Sequence, residues 1–257
     1  MTGHYKPIEQ ALERAAAAKP LLVALDFDGT LAPLVDVPDD ARMTKAARAA
    51  VEALASAPET TLALVSGRGL ANLREVSAAD PRWWLVGSHG VELEGPADGG
   101  VVRVPTADPI ERQAVWDAFV AIADAFPGAW VETKPWGAAL HTRSLPAAQE
   151  DDIRRRAREA AASFGDALTT RLGHGIIECS LQSQNKGDGI EALRELLHPE
   201  TTLFIGDDLT DEDAQAVLGP GDVGIRCGEG ESVAPYFLAD VDAVADFLAS
   251  LAARRSG

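Results

Sequence analysis

The sequence predicts an α/β protein, a doubly wound parallel sheet interrupted by a smaller α+β insert. Three observations predict it. Short apolar runs alternate with segments of helical period from residue 21 onward, the rhythm of a parallel sheet. Several of those runs stop abruptly on small or charged residues, as strands do at a ligand-binding sheet edge. The rhythm breaks between Pro105 and Cys179 and returns at Lys186, across a stretch too long to be a loop. The 257 residues suit a core domain with an insert.

The first twenty residues read as a helix ending at Lys19-Pro20. The apolar run Leu21 to Leu25 follows and ends in Asp26-Phe27-Asp28-Gly29-Thr30. Residues 32–40, with their prolines and aspartates, read as a loop. Thr44 to Ala55 repeats Ala, Val and Leu at helical spacing. Thr61 to Val65 is a second strand, ending in Ser66-Gly67-Arg68, and Leu70 to Ala78 a helix. Trp84 to Val86 is a third strand, ending in Gly87-Ser88-His89-Gly90. Asp98-Gly99-Gly100 then marks a hairpin between Val91–Leu93 and Val101–Val104.

Asp108 to Phe126 reads as a long helix and Trp130 to Arg143 as a strand-rich stretch. Pro146 to Ser163 is a second helix; Ala167 to Leu172 and Gly175 to Cys179 are short strands. Core rhythm resumes with the helix Gly187 to Leu197 and the strand Thr201 to Ile205, which ends in Gly206-Asp207-Asp208. A helix from Asp211, a last strand Val223 to Ile225 and a last helix Val241 to Leu251 complete the chain. The expected division is a Rossmann-like catalytic core, 1–104 and 180–257, and an inserted cap, 105–179.

The net charge is -17. A nucleic-acid footprint needs a basic field, and an anionic membrane surface is disfavoured likewise. No apolar run approaches the roughly 20 residues of a membrane span. Cys179 and Cys227 make no disulfide framework or metal-type spacing. A soluble cytoplasmic protein, taken as a monomer, with a small-molecule partner and neither nucleic acid nor membrane, is the expectation.

Four segments share one layout, an apolar strand followed by a small or charged group: Asp26/Asp28/Thr30, Ser66/Gly67/Arg68, Asn185/Lys186/Gly187 and Gly206/Asp207/Asp208. A doubly wound fold gathers such strand ends at one edge. The set suits phosphoryl transfer. A carboxylate, Asp26, can attack phosphorus and form an aspartyl phosphate. Asp28 can protonate the leaving alcohol and then deprotonate the attacking water. Mg²⁺ is the expected cofactor, held by Asp26 and Asp207 with the Asp28 backbone carbonyl as a further ligand and Asp208 supporting the shell. A helix cap is the competing role for Asp207. Ser66 and Gly67 either hold phosphate or cap the helix that follows. Lys186 would neutralise phosphoryl oxygens in the transition state. Arg68 either reaches the phosphate or steadies the site, and Thr30 either bonds phosphate or shapes the turn.

These segments resemble the four motifs of the haloacid dehalogenase-like hydrolases. The text from Leu25 to Pro33 and from Gly206 to Asp213 is similar to the trehalose-6-phosphate phosphatases within them. The resemblance runs from about Leu21 to Leu248. It implies a haloacid dehalogenase-like core, a mobile cap, and Mg²⁺-dependent hydrolysis of a sugar phosphate, trehalose 6-phosphate, to trehalose and phosphate. It also implies sugar contacts from Glu132 and Lys134, with His141 and Arg143 nearby, and from Glu178. Trp136 would offer a ring to the sugar. A solvated strand, with His141 as a cross-strand partner, is the competing reading of that segment. His89 matches a glycine-histidine-glycine segment in which glycine often stands at the position of Ser88. One departure follows Glu178: Ser180 stands where the family commonly has a basic residue, and Leu181 where it has proline.

Other functions fit less well. A phosphotransferase or mutase shares the aspartyl phosphate but must exclude water. A silent regulatory module has no need of the full acid set and Lys186. No Gly-rich segment ends in Gly-Lys-Ser/Thr, which argues against a P-loop kinase. Another phosphorylated disaccharide, pseudo-disaccharide or sugar is the alternative substrate.

Overall fold

The protein is described from a computed structural model covering residues 5–96, 102–103, 109–134, 136–164, 168–173, 175–181 and 183–256. The chain divides into two compact units, Met1–Val104 with Gln184–Gly257, and Pro105–Ser183.

In the first unit, α1 (Ile8–Ala17) leads to β1 (Leu21–Leu25), α2 (Lys45–Ala55), β2 (Thr60–Val65), α3 (Leu70–Ser77), β3 (Trp84–Gly87), β4 (Glu92–Glu94) and β5 (Val102–Arg103). The first strand is apolar at every position because both faces of the sheet are covered. Leu21, Val23 and Leu25 pack on one side with residues of α1, α2 and α3 and with Val244 and Leu248; Leu22 and Ala24 pack on the other with Ile190, Leu193 and Ala214. Thr44 caps α2 by accepting the Ala47 amide. The turn Asp98-Gly99-Gly100 lies outside the described residues, but β4 runs antiparallel to β3 and β5 antiparallel to β4.

The second unit contains α4 (Pro109–Ala123), β6 (Trp130–Lys134), β7 (Gly137–His141), α5 (Ala147–Ala162), β8 (Thr169–Gly173) and β9 (Ile176–Ser180). Its sheet is antiparallel in the order β6-β7-β9-β8. Alternation along these strands sends Leu140, Ile177 and Cys179 into a core with Val115 and Phe119 of α4 and Ile153 of α5. The opposite face carries Trp130, Glu132, Lys134, His141, Arg171 and Glu178, by the same alternation.

The first unit resumes with α6 (Lys186–Leu197), β10 (Thr201–Gly206), α7 (Asp211–Ala216), β11 (Val223–Cys227), β12 (Tyr236–Leu238) and α8 (Val241–Arg255). Asn185 and Asp188 close a capping box on α6. The eight-stranded order is β12-β11-β10-β1-β2-β3-β4-β5, parallel except at β4 and β5. Val223 to Ile225 is therefore not the last strand: β12 adds a parallel edge that three residues are too few to reveal by periodicity. Among the described residues, no helix is long and apolar enough to cross a membrane.

Candidate active site

The carboxyl ends of β1, β2 and β10, and the start of α6, converge on one acidic centre. Asp26 follows β1 and continues its ladder, its amide donating to the Ile205 carbonyl at 2.9 Å. Its side chain is buried. Lys186, at the first position of α6, is also buried and donates from Nζ to Asp26 Oδ1 at 2.7 Å and to Asp211 Oδ1 at 2.6 Å. Asp211 Oδ2 in turn accepts the amides of Asp207 and Asp208, each at 2.9 Å.

Oxygens of Asp26, Asp207 and Asp211 lie within 4.8 Å of one another, a group able to coordinate a metal ion. Asp211 was not among the expected site residues. It lies within the Gly206 to Asp213 text, but its own local signal is a place in the acidic first turn of a helix, which ordinarily reflects the helix dipole. Asp28, expected to offer its backbone carbonyl to the metal, and Asp208, expected to support the shell, each use their carboxylate in a local network. Asp28 accepts Arg68 Nε and Nη2, both at 2.6 Å. Asp208 Oδ1 accepts from Thr210 N and Oγ1 at 2.8 Å and from Asp211 N at 3.1 Å. The turn into α7 is thus served by Asp208 and not by Asp207.

Crowding of acids sets the electrostatics. Burial, then Asp211, pushes the Asp26 carboxyl well above the usual range, against the pull of Lys186. Burial, then Asp211 and Asp208, pushes Asp207 up to about 7. Burial also works to lift Asp208, but Lys186 and the bonds from Thr210 and Asp211 outweigh it and bring Asp208 down to about 2. Burial would lower Lys186, yet Asp211 and Asp26 raise it well above an ordinary lysine. Carboxylates this crowded against one ammonium are a hard-oxygen donor set that a divalent cation would neutralise.

The turns fit closely around this centre. Gly29 holds φ +84°, and a Cβ there would come within 2.1 Å of Asp207 Oδ2. The Thr30 side chain is buried, its hydroxyl donating to Asp207 Oδ1 at 3.4 Å. A Cβ on Gly67 would meet the His89 ring at 2.5 Å. Ser66 is buried and its Oγ accepts the Arg68 amide at 3.2 Å; it does not cap α3, whose N-cap is Gly69. Arg68 also donates from Nη1 to Asn72 Oδ1 at 2.7 Å.

In the second unit, Glu132 accepts Lys134 Nζ at 2.8 Å and pairs with His141 Nε2 at 2.9 Å. Burial would raise its carboxyl, but the bond to His141 and the charge of Lys134 hold it at about 2. Glu178 lies level with Ala139, which lies level with Glu132. Trp136 is only 4% exposed, so it is a core ring; the accessible ring is Trp130, 47% exposed and stacked on His141 with centroids 3.8 Å apart. His141 is thus a cross-strand partner of Trp130 as well as of Glu132. Arg143 lies beyond the end of β7. Ser180 is buried at the end of β9, and the Leu181 amide donates to the Trp136 carbonyl at 2.8 Å, a bond that proline would forfeit.

The family profile described as Trehalose-phosphatase matches residues 24–242. This chain belongs to the trehalose-phosphatase family. It is 33% identical to a trehalose-phosphate phosphatase of Mycobacterium marinum over 250 residues, covering 91% of this chain and 62% of the relative. It is 31% identical to the trehalose-6-phosphate phosphatase of Escherichia coli, covering 87% of this chain and 83% of that protein. An uncharacterized glycosyl hydrolase of Mycobacterium tuberculosis is 32% identical, but the chain spans only 19% of its length. Among solved structures, the C-terminal domain of the Candida albicans trehalose-6-phosphate phosphatase superposes with a TM-score of 0.79 at 21% identity, covering 98% of this chain and 99% of that one. A haloacid dehalogenase-like hydrolase from B. subtilis shares the fold with a TM-score of 0.58 at 15% identity, covering 88% and 98%. The family's fold is therefore the haloacid dehalogenase-like one, a Rossmann-like core with an inserted cap.

Proposed function

We propose that the chain is a phosphatase that hydrolyses trehalose 6-phosphate to trehalose and phosphate through an aspartyl-phosphate intermediate. The observation that carries this is the meeting of Asp26, Asp207 and Asp211 around buried Lys186, with Asp28 two residues from Asp26. Asp26 attacks phosphorus as the nucleophile while the bond to the sugar oxygen breaks. That oxygen takes the proton of Asp28. Water then attacks the aspartyl phosphate, gives its proton to Asp28, and the Asp26–phosphorus bond breaks to release phosphate. Lys186, Ser66, the Gly67 amide and Thr30 are the proposed phosphate contacts. Mg²⁺ would be held by Asp26 and Asp207, with the Asp28 carbonyl and Asp208 in support and Asp211 fixing the loop. When bound, it supplies charge neutralisation at the phosphoryl group.

Residues 105–179 form the proposed substrate-recognition cap. Glu132, Lys134 and Glu178 would bond sugar hydroxyls, with His141 and Arg143 beside them. The name carried by the bacterial relatives supports trehalose 6-phosphate as the substrate. Two buried free cysteines suit a reducing, cytoplasmic setting. The test is phosphate release from a panel of sugar phosphates with Mg²⁺. Trehalose 6-phosphate should stand out by kcat/KM; equal hydrolysis of glucose 6-phosphate would overturn the disaccharide assignment.

A further inference from the structure

We propose that Glu92 is a positioning residue: it fixes the loop bearing Arg68 and, through Arg68, the Asp28 carboxyl. The inference rests on the reading of Asp28 as the group that protonates the leaving alcohol.

Glu92 lies on β4 and is 6% exposed. Its Oε2 accepts the Ser88 hydroxyl at 2.6 Å and the Leu70 amide at 3.1 Å. Leu70 is the first residue of α3, and its N-cap, Gly69, has no side chain to serve the first amides. Glu92 supplies that acceptor from another strand, at the helix end where a carboxylate is favoured.

The same segment grips the loop twice more. The Ser88 amide donates to the Arg68 carbonyl at 2.7 Å, and the His89 amide to the Ser66 carbonyl at 3.0 Å. Residues 88–92 therefore hold residues 66–70 at Ser66 O, Arg68 O and Leu70 N. Ser88 and His89 sustain φ of 49° and 54°, the left-handed region that side-chain-bearing residues enter at a cost. Such backbone persists where its surroundings over-determine it, and Ser88 is tied at both its amide and its hydroxyl. Glycine would take this φ without strain but would lose the bond to Glu92.

The consequence appears at the guanidinium. With the Arg68 backbone fixed on both sides, Nε and Nη2 reach both oxygens of Asp28, and Nη1 is tied to Asn72. A shift of the loop would move the guanidinium and with it the Asp28 carboxyl that it holds, and catalysis by a positioned group is sensitive to displacements of about 1 Å.

A residue that merely supports the fold would cost every substrate alike. The discriminating measurement is kcat/KM with Mg²⁺ for trehalose 6-phosphate and for p-nitrophenyl phosphate, whose phenolate departs without a proton. This ratio reports only the steps up to loss of the alcohol. Glu92→Ala should lose at least about tenfold on the sugar ester and under about threefold on the aryl ester. Glu92→Gln keeps an acceptor for Leu70 and should stay within about threefold of wild type on both. Asp28→Asn sets the scale of the split. If wild type releases phosphate from neither ester, the phosphatase reading fails. If Asp28→Asn shows no split, Asp28 is not the acid and the inference falls with it. If Asp28→Asn splits the substrates while folded Glu92→Ala costs both equally or neither, the positioning role is overturned and the phosphatase reading stands. Should Glu92→Ala not fold, Glu92→Asp decides, since its shorter arm draws the carboxylate back. An aryl-to-sugar ratio within about twofold of wild type would then overturn the proposal.

Discussion

At Asp26, exchanging one oxygen for nitrogen removes the anion and keeps the shape. Purified Asp26→Asn should fold yet lose turnover by at least about 1000-fold, measured as phosphate release. Near-normal turnover would sink covalent catalysis by Asp26. Asp211 makes a different prediction. Its two oxygens answer Lys186 and two backbone amides. Asp211→Ala should therefore cost about 3–5 kcal/mol in denaturant unfolding as well as activity, because a buried lysine loses a partner. A stable, merely inactive Asp211→Ala would assign Asp211 to chemistry alone. The contrast explains what was legible. Asp26, Asp28 and Asp207 follow apolar runs and Lys186 opens a helix behind an Asn cap, so local sequence displays them. Asp211 and Glu92 do not: one reads as an ordinary first-turn acid, the other as a polar strand residue. Their importance arises only when a loop folds back onto them.

At the scale of elements, the second unit's sheet turns Trp130, Glu132, Lys134 and His141 away from its core, on the face that alternation assigns to solvent or ligand. Lys134→Ala and Glu132→Ala should harm the disaccharide phosphate by about 30- to 1000-fold in kcat/KM, from roughly 2–4 kcal/mol of lost charge-assisted bonding. A small aryl phosphate should be nearly unaffected. Equal losses on both substrates would give these residues to fold or chemistry instead. Alternation could mark this face but not choose between Trp130 and Trp136, because that depends on which ring the turn after β6 buries. Acid stability offers an independent check. Glu132 sits at about 2 in the folded protein against an ordinary 4.5. A lowered folded value stabilises above the unfolded one, so the contribution is full above pH about 4.5 and lost as pH falls toward 2. For a side chain 32% exposed, solvent screening reduces it to about 1–2 kcal/mol. The stability gap between wild type and Glu132→Gln should close across that window. A gap that stays constant with pH would show that the ion pairs contribute nothing.

For the whole molecule, the parallel sheet was legible because strands buried on both faces are unbroken apolar runs. The tie that closes the first unit was not. Arg255, in the last turn of α8, is buried, and its guanidinium donates to the carbonyls of Ala15 at 3.0 Å, Ala18 at 2.7 Å and Glu59 at 3.0 Å, and to Thr60 Oγ1 at 2.8 Å. In sequence it is one of two arginines ending a helix, which reads as complementing the dipole. In the fold it answers carbonyls left over where α1 ends and where the chain enters β2. Arg255→Met keeps most of the apolar stem and strands those acceptors in a buried place. The cost should be roughly 3–5 kcal/mol, or about 6–20 °C in Tm for a domain of this size. Hydrogen exchange should localise it, with protection falling in α1 and at the start of β2 and β6–β9 unchanged. A Tm within about 2 °C of wild type would show that water satisfies those carbonyls and that the tie adds little. Equal loss of protection in β6–β9 would instead show that the two units unfold as one.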